Sequence, residues 1–170
     1  TRHGFSPDPY QSNGNYFLTD GCHYHAHGYE VLADWISNLS RFDFYGEIVD
    51  YQAPQLISVF SESSSSIIIE FDKDIIIQPD LMVDGILYMA KDYLFALNNV
   101  HTSSISSMEL LAGDSKKIRL TFNGQNISKG DELTYILRDN YPETSLPYRG
   151  PWIVDLLTGV GAVGFNKTIE

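Results

Sequence analysis

The chain has 170 residues, a length typical of one domain or slightly more, and 43% of them are hydrophobic, which is enough to bury a core. Its formal net charge of -11 at pH 7 argues against phosphate backbones and anionic membrane surfaces, so neither nucleic acid nor membrane is an expected partner. The single cysteine excludes an internal disulfide, and no apolar run approaches the roughly 20 residues that a membrane-spanning helix needs.

Residues 1–19 precede the first motif that carries chemistry. Pro7, Pro9, Gly14 and a polar cluster predict a loop there. The loop leads into Asp20 and His23, an acid three residues before a histidine. In a turn that opens a helix, this spacing brings carboxylate and imidazole within hydrogen-bonding reach, so that Asp20 orients the ring and His23 takes a proton from a serine hydroxyl. The pair predicts half of a hydrolytic triad.

A helix is predicted directly after this motif, from Val31 to Phe42. Its apolar residues recur at spacings of three and four, and its polar residues fall on the other side. The helix is therefore amphipathic and needs a sheet to lie on. The apolar positions are Val31, Leu32, Trp35, Ile36, Leu39 and Phe42.

The register Asp-Gly-x-His-x-x-Ala-x-Gly-Tyr, from Asp20 to Tyr29, resembles the closing block of SGNH/GDSL-type esterases, which include sialate O-acetylesterases and carbohydrate acetylesterases. The resemblance covers roughly residues 15 to 45. It implies that Asp20 is the triad acid and that His23 is the triad base. It also implies that the helix is the last one of a flavodoxin-like α/β domain. The start and inner face of that helix would be Gly28, Tyr29, Leu32 and Ala33.

The segment from Phe42 to Pro54 breaks the helical period and predicts a linker. Beyond it the pattern changes to short β-rich runs punctuated by turns, which predicts an antiparallel β-sandwich. The expected fold is thus mainly β, with residues 1–46 forming the end of a hydrolase domain and residues 47–170 a sandwich accessory domain. The candidate strands are Leu56–Phe60, Ser66–Phe71, Met82–Tyr88, Tyr93–Leu97, Ile105–Leu111, Lys117–Phe122, Glu132–Leu137 and Ala162–Phe165.

Two short motifs in the β-rich part match known chemical signatures. Gly113-Asp114-Ser115 spells the tripeptide around the esterase nucleophile, yet it follows the histidine and lies between two strand-like runs, so an ordinary hairpin turn is expected. Gly159, Gly161 and Gly164 match a dinucleotide-binding fingerprint. That fingerprint requires a following helix, and only residues 165–170 follow, so a packed loop and a last strand are expected.

The histidines around the first motif allow two alternatives. His23, His25 and His27 alternate along the chain, so a strand would turn three imidazoles to one side as zinc ligands, with Asp20 and Cys22 nearby. Two glycines and the following helix make such a strand unfavourable. A dyad of Cys22 and His23 is weaker still, because adjacent side chains seldom point at each other. The triad interpretation needs no metal and no organic cofactor.

Aromatic residues make up 13% of the chain. In a secreted sandwich they could form a stacking platform for sugars, although most tyrosines in β domains pack across strands. The stretch from Tyr141 to Trp152 carries Arg149 and is the first choice for a loop that contacts sugar or another domain. The platform candidates are Tyr88, Tyr93, Tyr135, Tyr141, Tyr148 and Trp152.

Together these features predict the C-terminal part of a carbohydrate O-acetylesterase. His23 and Asp20 would serve a nucleophilic serine and an oxyanion hole from an upstream segment or a second chain, and the substrate would be an acetylated glycan. The chain begins at Thr1 without an initiator methionine or a signal-like segment, so we expect a piece of a longer protein. A glycan substrate suits a protein that is secreted, periplasmic or part of a phage tail appendage. The alternative is a non-catalytic sugar-binding or assembly module.

Overall fold

The computed structural model describes residues 26–46, 50–83, 85–101, 104–136 and 151–170. The chain divides into two compact units, of which the second runs from Ala53 to Glu170. The described part of the first unit contains one long helix, and all described strands belong to the second unit. Within these ranges, no helix combines the length and the hydropathy that crossing a bilayer requires.

The long helix, α1, runs from Ala26 to Tyr45. It contains the predicted segment Val31 to Phe42 and extends beyond both ends of that prediction. The predicted linker therefore starts too early: the residues after Phe42 stay helical, because neither glycine nor proline interrupts the backbone before Gly46. Gly46 has a φ of 68°, the left-handed conformation that commonly ends a helix and that glycine adopts without a steric penalty.

The second unit is mainly β and antiparallel, as the turn-punctuated pattern predicted. Among its described residues there is one short helix, α2 (Ala90–Tyr93). The described strands are β1 (Leu56–Ser63), β2 (Ser66–Phe71), β3 (Ile75–Ile77), β4 (Leu81–Val83), β5 (Ile86–Tyr88), β6 (Phe95–Leu97), β7 (Val100–His101), β8 (Ile105–Leu111), β9 (Asp114–Phe122), β10 (Glu132–Tyr135), β11 (Ile153–Asp155) and β12 (Phe165–Thr168).

Two four-stranded sheets make up most of this unit. The first sheet has the strand order β1-β2-β9-β8, and the second sheet has the order β12-β10-β6-β7. Two smaller pairs, β3 with β11 and β4 with β5, complete the described pairing. All of these strand pairings are antiparallel, and each strand presents alternate side chains to opposite faces of its sheet.

Successive side chains of β2 and β9 point alternately to the core and to the opposite face of the sheet. Ile67 and Ile69 of β2 have no exposed surface. Their partners on β9, Leu120 and Ile118, are equally buried. Arg119 lies between these two partners on β9, so its side chain is on the opposite face. The alternation predicted for β9 is therefore confirmed.

Both large sheets contribute side chains to one hydrophobic core. Phe71 of β2 lies 6.5 Å from Phe165 of β12, measured between ring centroids. Phe165 lies 5.5 Å from Tyr135 of β10, and Tyr135 lies 5.3 Å from Phe95 of β6. These separations are favourable for aromatic pairs. Because Phe71 belongs to the first sheet and the other three rings belong to the second, this row of rings joins the two sheets.

The backbone of Glu170 also links the two sheets. Its N–H donates to the carbonyl of Val59 over 3.1 Å, and its carbonyl accepts from the N–H of Ser61 over 3.1 Å. Both of these partners lie on β1, an edge strand of the first sheet, while β12 is an edge strand of the second. The neighbouring Ile169 is 1% exposed and belongs to the core. The segment after β12 thus covers part of the edge of β1.

The strand predictions differ in accuracy. Ser66–Phe71 and Ile105–Leu111 match β2 and β8 residue for residue. The single strand predicted from Met82 to Tyr88 is wrong, because this segment forms a two-stranded hairpin, β4 and β5, around Gly85. The last strand was predicted too early, at Ala162–Phe165, whereas β12 begins at Phe165; Gly161 and Gly164 disfavour a regular strand before it.

Local backbone features explain the remaining differences. Tyr93 was predicted to begin a strand, but it ends α2, and β6 begins only at Phe95. The predicted strand from Glu132 ends at Tyr135, because Ile136 has a φ of 60°, which is unusual for a β-branched residue. Three strands of two or three residues, β3, β7 and β11, were not predicted, because runs this short show no readable alternation.

Truncation of Ile69 to alanine tests the assignment of the core. Ile69→Ala should lower the free energy of unfolding by about 2–5 kcal/mol, because the side chain is fully buried and its loss leaves a cavity. Ile57→Ala is the matched control on neighbouring β1, where the isoleucine is 56% exposed, and it should change stability by about 0.5 kcal/mol or less. Urea unfolding followed by circular dichroism measures both variants. Equal losses would contradict the assignment.

Candidate functional site

The residues predicted to form the catalytic dyad, Asp20 and His23, lie outside the described residues, and so do Cys22 and His25. The contact between the carboxylate and the imidazole therefore stays a prediction. His27 lies in the first turn of α1, so the strand that the zinc alternative needs through all three histidines is wrong at this position. Among the described residues, no group of three His, Cys, Asp or Glu side chains could hold a metal ion.

The apolar stripe of α1 is only partly covered. Leu32 and Trp35 are half-buried, whereas Ile36 is 57% exposed and Leu39 is 37% exposed. Spacings of three and four place Leu32, Ile36 and Leu39 on one side of the helix. Ala33, which the resemblance places on the inner face, is exposed as well. The helix thus presents an apolar face to solvent, immediately after the predicted dyad.

The tripeptide Gly113-Asp114-Ser115 lies at the tip of the β8–β9 hairpin, as the sequence predicted. Gly113 has a φ of 82°, which the tight turn requires. Ser115 Oγ donates to Asp74 Oδ1 at 2.5 Å, and Asp114 Oδ2 lies 3.0 Å from Lys117 Nζ. Strands lie on both sides of the turn, whereas an esterase nucleophile needs a turn from a strand into a helix. These residues therefore stabilise a hairpin and do not have the geometry of an esterase nucleophile.

The glycine motif from Gly159 to Gly164 leads into strand β12 and not into a helix. A dinucleotide site places the pyrophosphate at a helix N-terminus, so the cofactor interpretation is wrong for these residues. Gly159 has a φ of 71°, and the chain turns back so that Gly161 pairs with Val154. The motif therefore closes a turn after β11.

Asp155 organises that turn from a buried position, with 6% of its surface exposed. Its Oδ1 accepts hydrogen bonds from the backbone N–H of Leu157 at 2.8 Å and of Thr158 at 2.7 Å. The hydroxyl of Thr158 donates to the same oxygen at 2.9 Å. A buried carboxylate with three donors is well satisfied. Asp155 is therefore a structural residue that sequence analysis did not single out.

Of the two alternatives for the aromatic residues, the buried ones follow core packing and not a sugar-stacking platform. Tyr88, Tyr135 and Trp152 are 4%, 1% and 8% exposed, so their rings serve the core. Tyr93 packs against Tyr88 with 5.6 Å between ring centroids, and burial raises the pKa of Tyr93. The other candidates, Tyr141 and Tyr148, lie outside the described residues together with Arg149.

A polar cluster that sequence analysis missed lies on the first sheet, on the face opposite the core. Arg119 of β9 donates from Nε and Nη2 to the two carboxylate oxygens of Glu62 on β1, at 2.7 Å each. Ser66 Oγ donates to the same carboxylate at 3.1 Å. Arg119 Nη1 lies 3.4 Å from Glu109 Oε1 on β8. The bidentate contact with Glu62 fixes the plane of the guanidinium group.

Cross-strand pairing places Arg119 and Glu109 in a row of four residues, which we call the Arg119 row. Phe60 pairs with Ile68, Ile68 pairs with Arg119, and Arg119 pairs with Glu109. Ile68 is only 3% exposed although it is on the face opposite the core. Arg119 pairs with Ile68 and reaches across β2, the strand of Ile68, to a carboxylate on β1. Phe60 is half-buried beside it.

Ion pairing shifts the protonation equilibria of the row and of the residues beside it. Hydrogen bonding from Arg119 lowers the pKa of Glu62, and the same contact raises the pKa of Arg119. Further along the same face of β9, the hydrogen bond with Asp114 raises the pKa of Lys117, and that contact lowers the pKa of Asp114. Lys117 Nζ is also 3.6 Å from Glu70 Oε1. On this face, each of the two basic side chains therefore lies between two carboxylates.

No protein-family model matches the chain, and no curated protein matches it significantly. The suggestion of an esterase therefore rests on the register from Asp20 to Tyr29 and on the helix that follows it. The polar face of the first sheet provides a second, separate candidate site.

Replacement of Asp155 tests its role in the turn after β11. Asp155→Ala should lower the free energy of unfolding by about 1–3 kcal/mol, because three donors lose a buried acceptor. Asp155→Asn keeps an oxygen at the same position and should cost less. Thermal unfolding of the two variants measures the difference, and an unchanged midpoint for Asp155→Ala would contradict this role.

The lowered pKa of Glu62 predicts a defined pH dependence of stability. An acid whose pKa is lowered by folding stabilises the protein fully above its unfolded value, here 4.5, and this contribution disappears as pH falls through the folded value. Glu62→Gln should therefore be less stable than the wild type at pH 7, and the difference should shrink as the pH falls below about 4.5. Urea unfolding at several pH values measures this.

The matched control repeats the comparison in the Arg119→Met background, so that Arg119→Met alone is compared with Arg119→Met combined with Glu62→Gln. Without the guanidinium group, Glu62→Gln should produce no such loss of stability at pH 7, because the group that lowers the pKa is gone. A loss of stability from Glu62→Gln that stays equally large without Arg119 would refute the assigned cause.

Proposed function

We propose that the chain is the C-terminal part of an SGNH-type carbohydrate O-acetylesterase, a serine hydrolase that removes acetyl groups from a glycan. Asp20 and His23 supply the acid and the base of the triad. The nucleophilic serine and the oxyanion hole come from an upstream segment or a second chain. The β-rich unit from Ala53 to Glu170 is the accessory domain, with its two large sheets arranged as a sandwich.

The observation that carries this proposal is the exposed apolar stripe of α1 directly after the Asp-x-x-His motif. Ile36 and Leu39 are exposed although the helix is amphipathic and long enough to be part of a domain core. Burying the surface that these two side chains still expose would contribute about 0.5–2 kcal/mol each, so a sheet that covers them gains free energy. The last helix of a flavodoxin-like domain packs its apolar face against the sheet of that domain in this way.

The chemistry follows from the two side chains of the dyad. The serine Oγ attacks the acetyl carbonyl carbon while His23 accepts the hydroxyl proton, and Asp20 stabilises the resulting imidazolium. His23 then gives that proton to the departing sugar oxygen, which leaves an acetyl-serine. Water attacks this ester with His23 again acting as base, so acetate is released and the serine regains its proton. The negative charge on the carbonyl oxygen is stabilised by donors outside this chain.

The helix face is tested by the double variant Ile36→Asp with Leu39→Asp. With the upstream half supplied as a separate polypeptide, this variant should no longer co-purify with it, because two charges replace the apolar contacts. Ser37→Asp is the matched control, since Ser37 lies on the polar side of the same turn. Assembly that survives the double variant would contradict the role of this face.

Catalysis is tested by acetate release from an acetylated sugar ester by the assembled protein. His23→Ala should lower kcat to about a thousandth or less, because a triad base is removed. His25→Ala is the control, since it deletes a neighbouring imidazole that the triad does not use. An unchanged rate for His23→Ala, or an equal loss for His25→Ala, would refute the assignment. The co-purification test above first establishes that the His23→Ala protein still assembles.

A further inference from the structure

The Arg119 row carries hydrogen-bonding groups that its own contacts leave unused. A guanidinium group has five N–H donors, and the bidentate contact with Glu62 uses one from Nε and one from Nη2. The remaining contact, from Nη1 to Glu109 Oε1, is long at 3.4 Å. The side chain of Glu109 is also 56% exposed. Donor N–H groups and a carboxylate acceptor therefore lie side by side on an open face of the sheet.

This pairing of groups fits two neighbouring hydroxyls of a sugar. Each hydroxyl can accept from an arginine N–H and donate to a carboxylate oxygen, so a vicinal diol satisfies both side chains at once. The guanidinium group is already held in place by Glu62, and binding therefore costs little side-chain entropy there. A phosphate or carboxylate ligand is disfavoured, because Glu62 and Glu109 flank the arginine and the chain carries a net charge of -11.

Phe60 supplies an apolar contact in the same row. It is half-buried and stands on the face opposite the core, next to Ile68. Neighbouring strands lie about 5 Å apart, so the backbones of Phe60 and Glu109, at the two ends of the row, are separated by about 15 Å. The guanidinium group of Arg119 lies between the carboxylates of Glu62 on β1 and Glu109 on β8. A short oligosaccharide can cover this surface, with one ring on the aromatic side chain and another at the contact of Arg119 with Glu109.

From these contacts we infer that the Arg119 row is a binding site for a neutral oligosaccharide, which lies across strands β1, β2, β9 and β8. The inference deepens the proposed function and rests on it for the biological role, because the site would hold the glycan whose acetyl groups are removed. The binding itself requires neither Asp20 nor His23. The site thus differs from the catalytic centre in its residues and in its chemistry.

The test is titration of the 15N-labelled 170-residue chain with four neutral hexasaccharides: cellohexaose, mannohexaose, maltohexaose and N-acetylchitohexaose. At least one should give saturable amide shifts, with the largest at residues of the Arg119 row. Hexagalacturonic acid is the anionic probe, and it should bind more weakly than the best neutral probe. Absence of saturable shifts with all four neutral probes, shifts centred elsewhere, or preferential binding of the anionic probe would overturn the inference.

Variants of the row give a second readout. Phe60→Ala and Glu109→Gln should each raise the Kd by about tenfold, which corresponds to about 1.4 kcal/mol. Lys117→Gln is the matched control, because Lys117 is on the same face outside the row, and its Kd should stay within about twofold. Glu109 is exposed, so Glu109→Gln keeps the test decisive even if Phe60→Ala fails to fold. Wild-type affinity in Glu109→Gln would overturn the inference.

The His23→Ala chain separates this inference from the proposed function. Its affinity for the best neutral probe should equal that of the wild type, because His23 is not part of the row. Unchanged binding together with unchanged acetate release would refute the catalytic role and leave the sugar site standing. Loss of acetate release in His23→Ala, with no probe bound at the Arg119 row, would refute the sugar site and leave the esterase.

Discussion

The period-two alternation of β2 and β9 is the constraint on which the second unit depends. Pairing of these central strands buries Ile67, Ile69 and Ile118 without exposed surface, and it places the charged residues on the other face. A shift of the register by one residue would exchange the two faces and put Arg119 into the core. The desolvation cost of such a buried charge far exceeds the energy of any single contact in the unit. The register is therefore strongly specified.

The aromatic row extends this constraint from one sheet to the other. Phe71 belongs to the same strand as Ile67 and Ile69, so the register of β2 also sets the position of its ring against Phe165. Tyr135 and Phe95 continue the contact across the second sheet. The candidate sugar site is set by the same register from the opposite face. Core and candidate site are therefore two consequences of one pairing pattern.

How well the sequence predicts the structure depends on how local each interaction is. The long strand β8 was predicted residue for residue, and the polar positions of β9 were visible from alternation alone. The partners of Arg119 were not, because Glu62 is 57 positions away and cross-strand register is not encoded in either strand by itself. The motif at Asp20 is the reverse case, because a local spacing predicts chemistry without fixing the geometry of the side chains. Asp20 and His23 lie outside the described ranges, so the distance between them stays a prediction.

The backbone contacts of Glu170 have a consequence for self-association. An edge strand offers unpaired N–H and carbonyl groups, and such groups can recruit a strand from another molecule. The carbonyl of Val59 and the N–H of Ser61 are occupied from within the same chain. Proteolytic loss of Ile169 and Glu170 would free these groups beside an opened hydrophobic core. The segment after β12 thereby blocks strand addition at this part of the β1 edge.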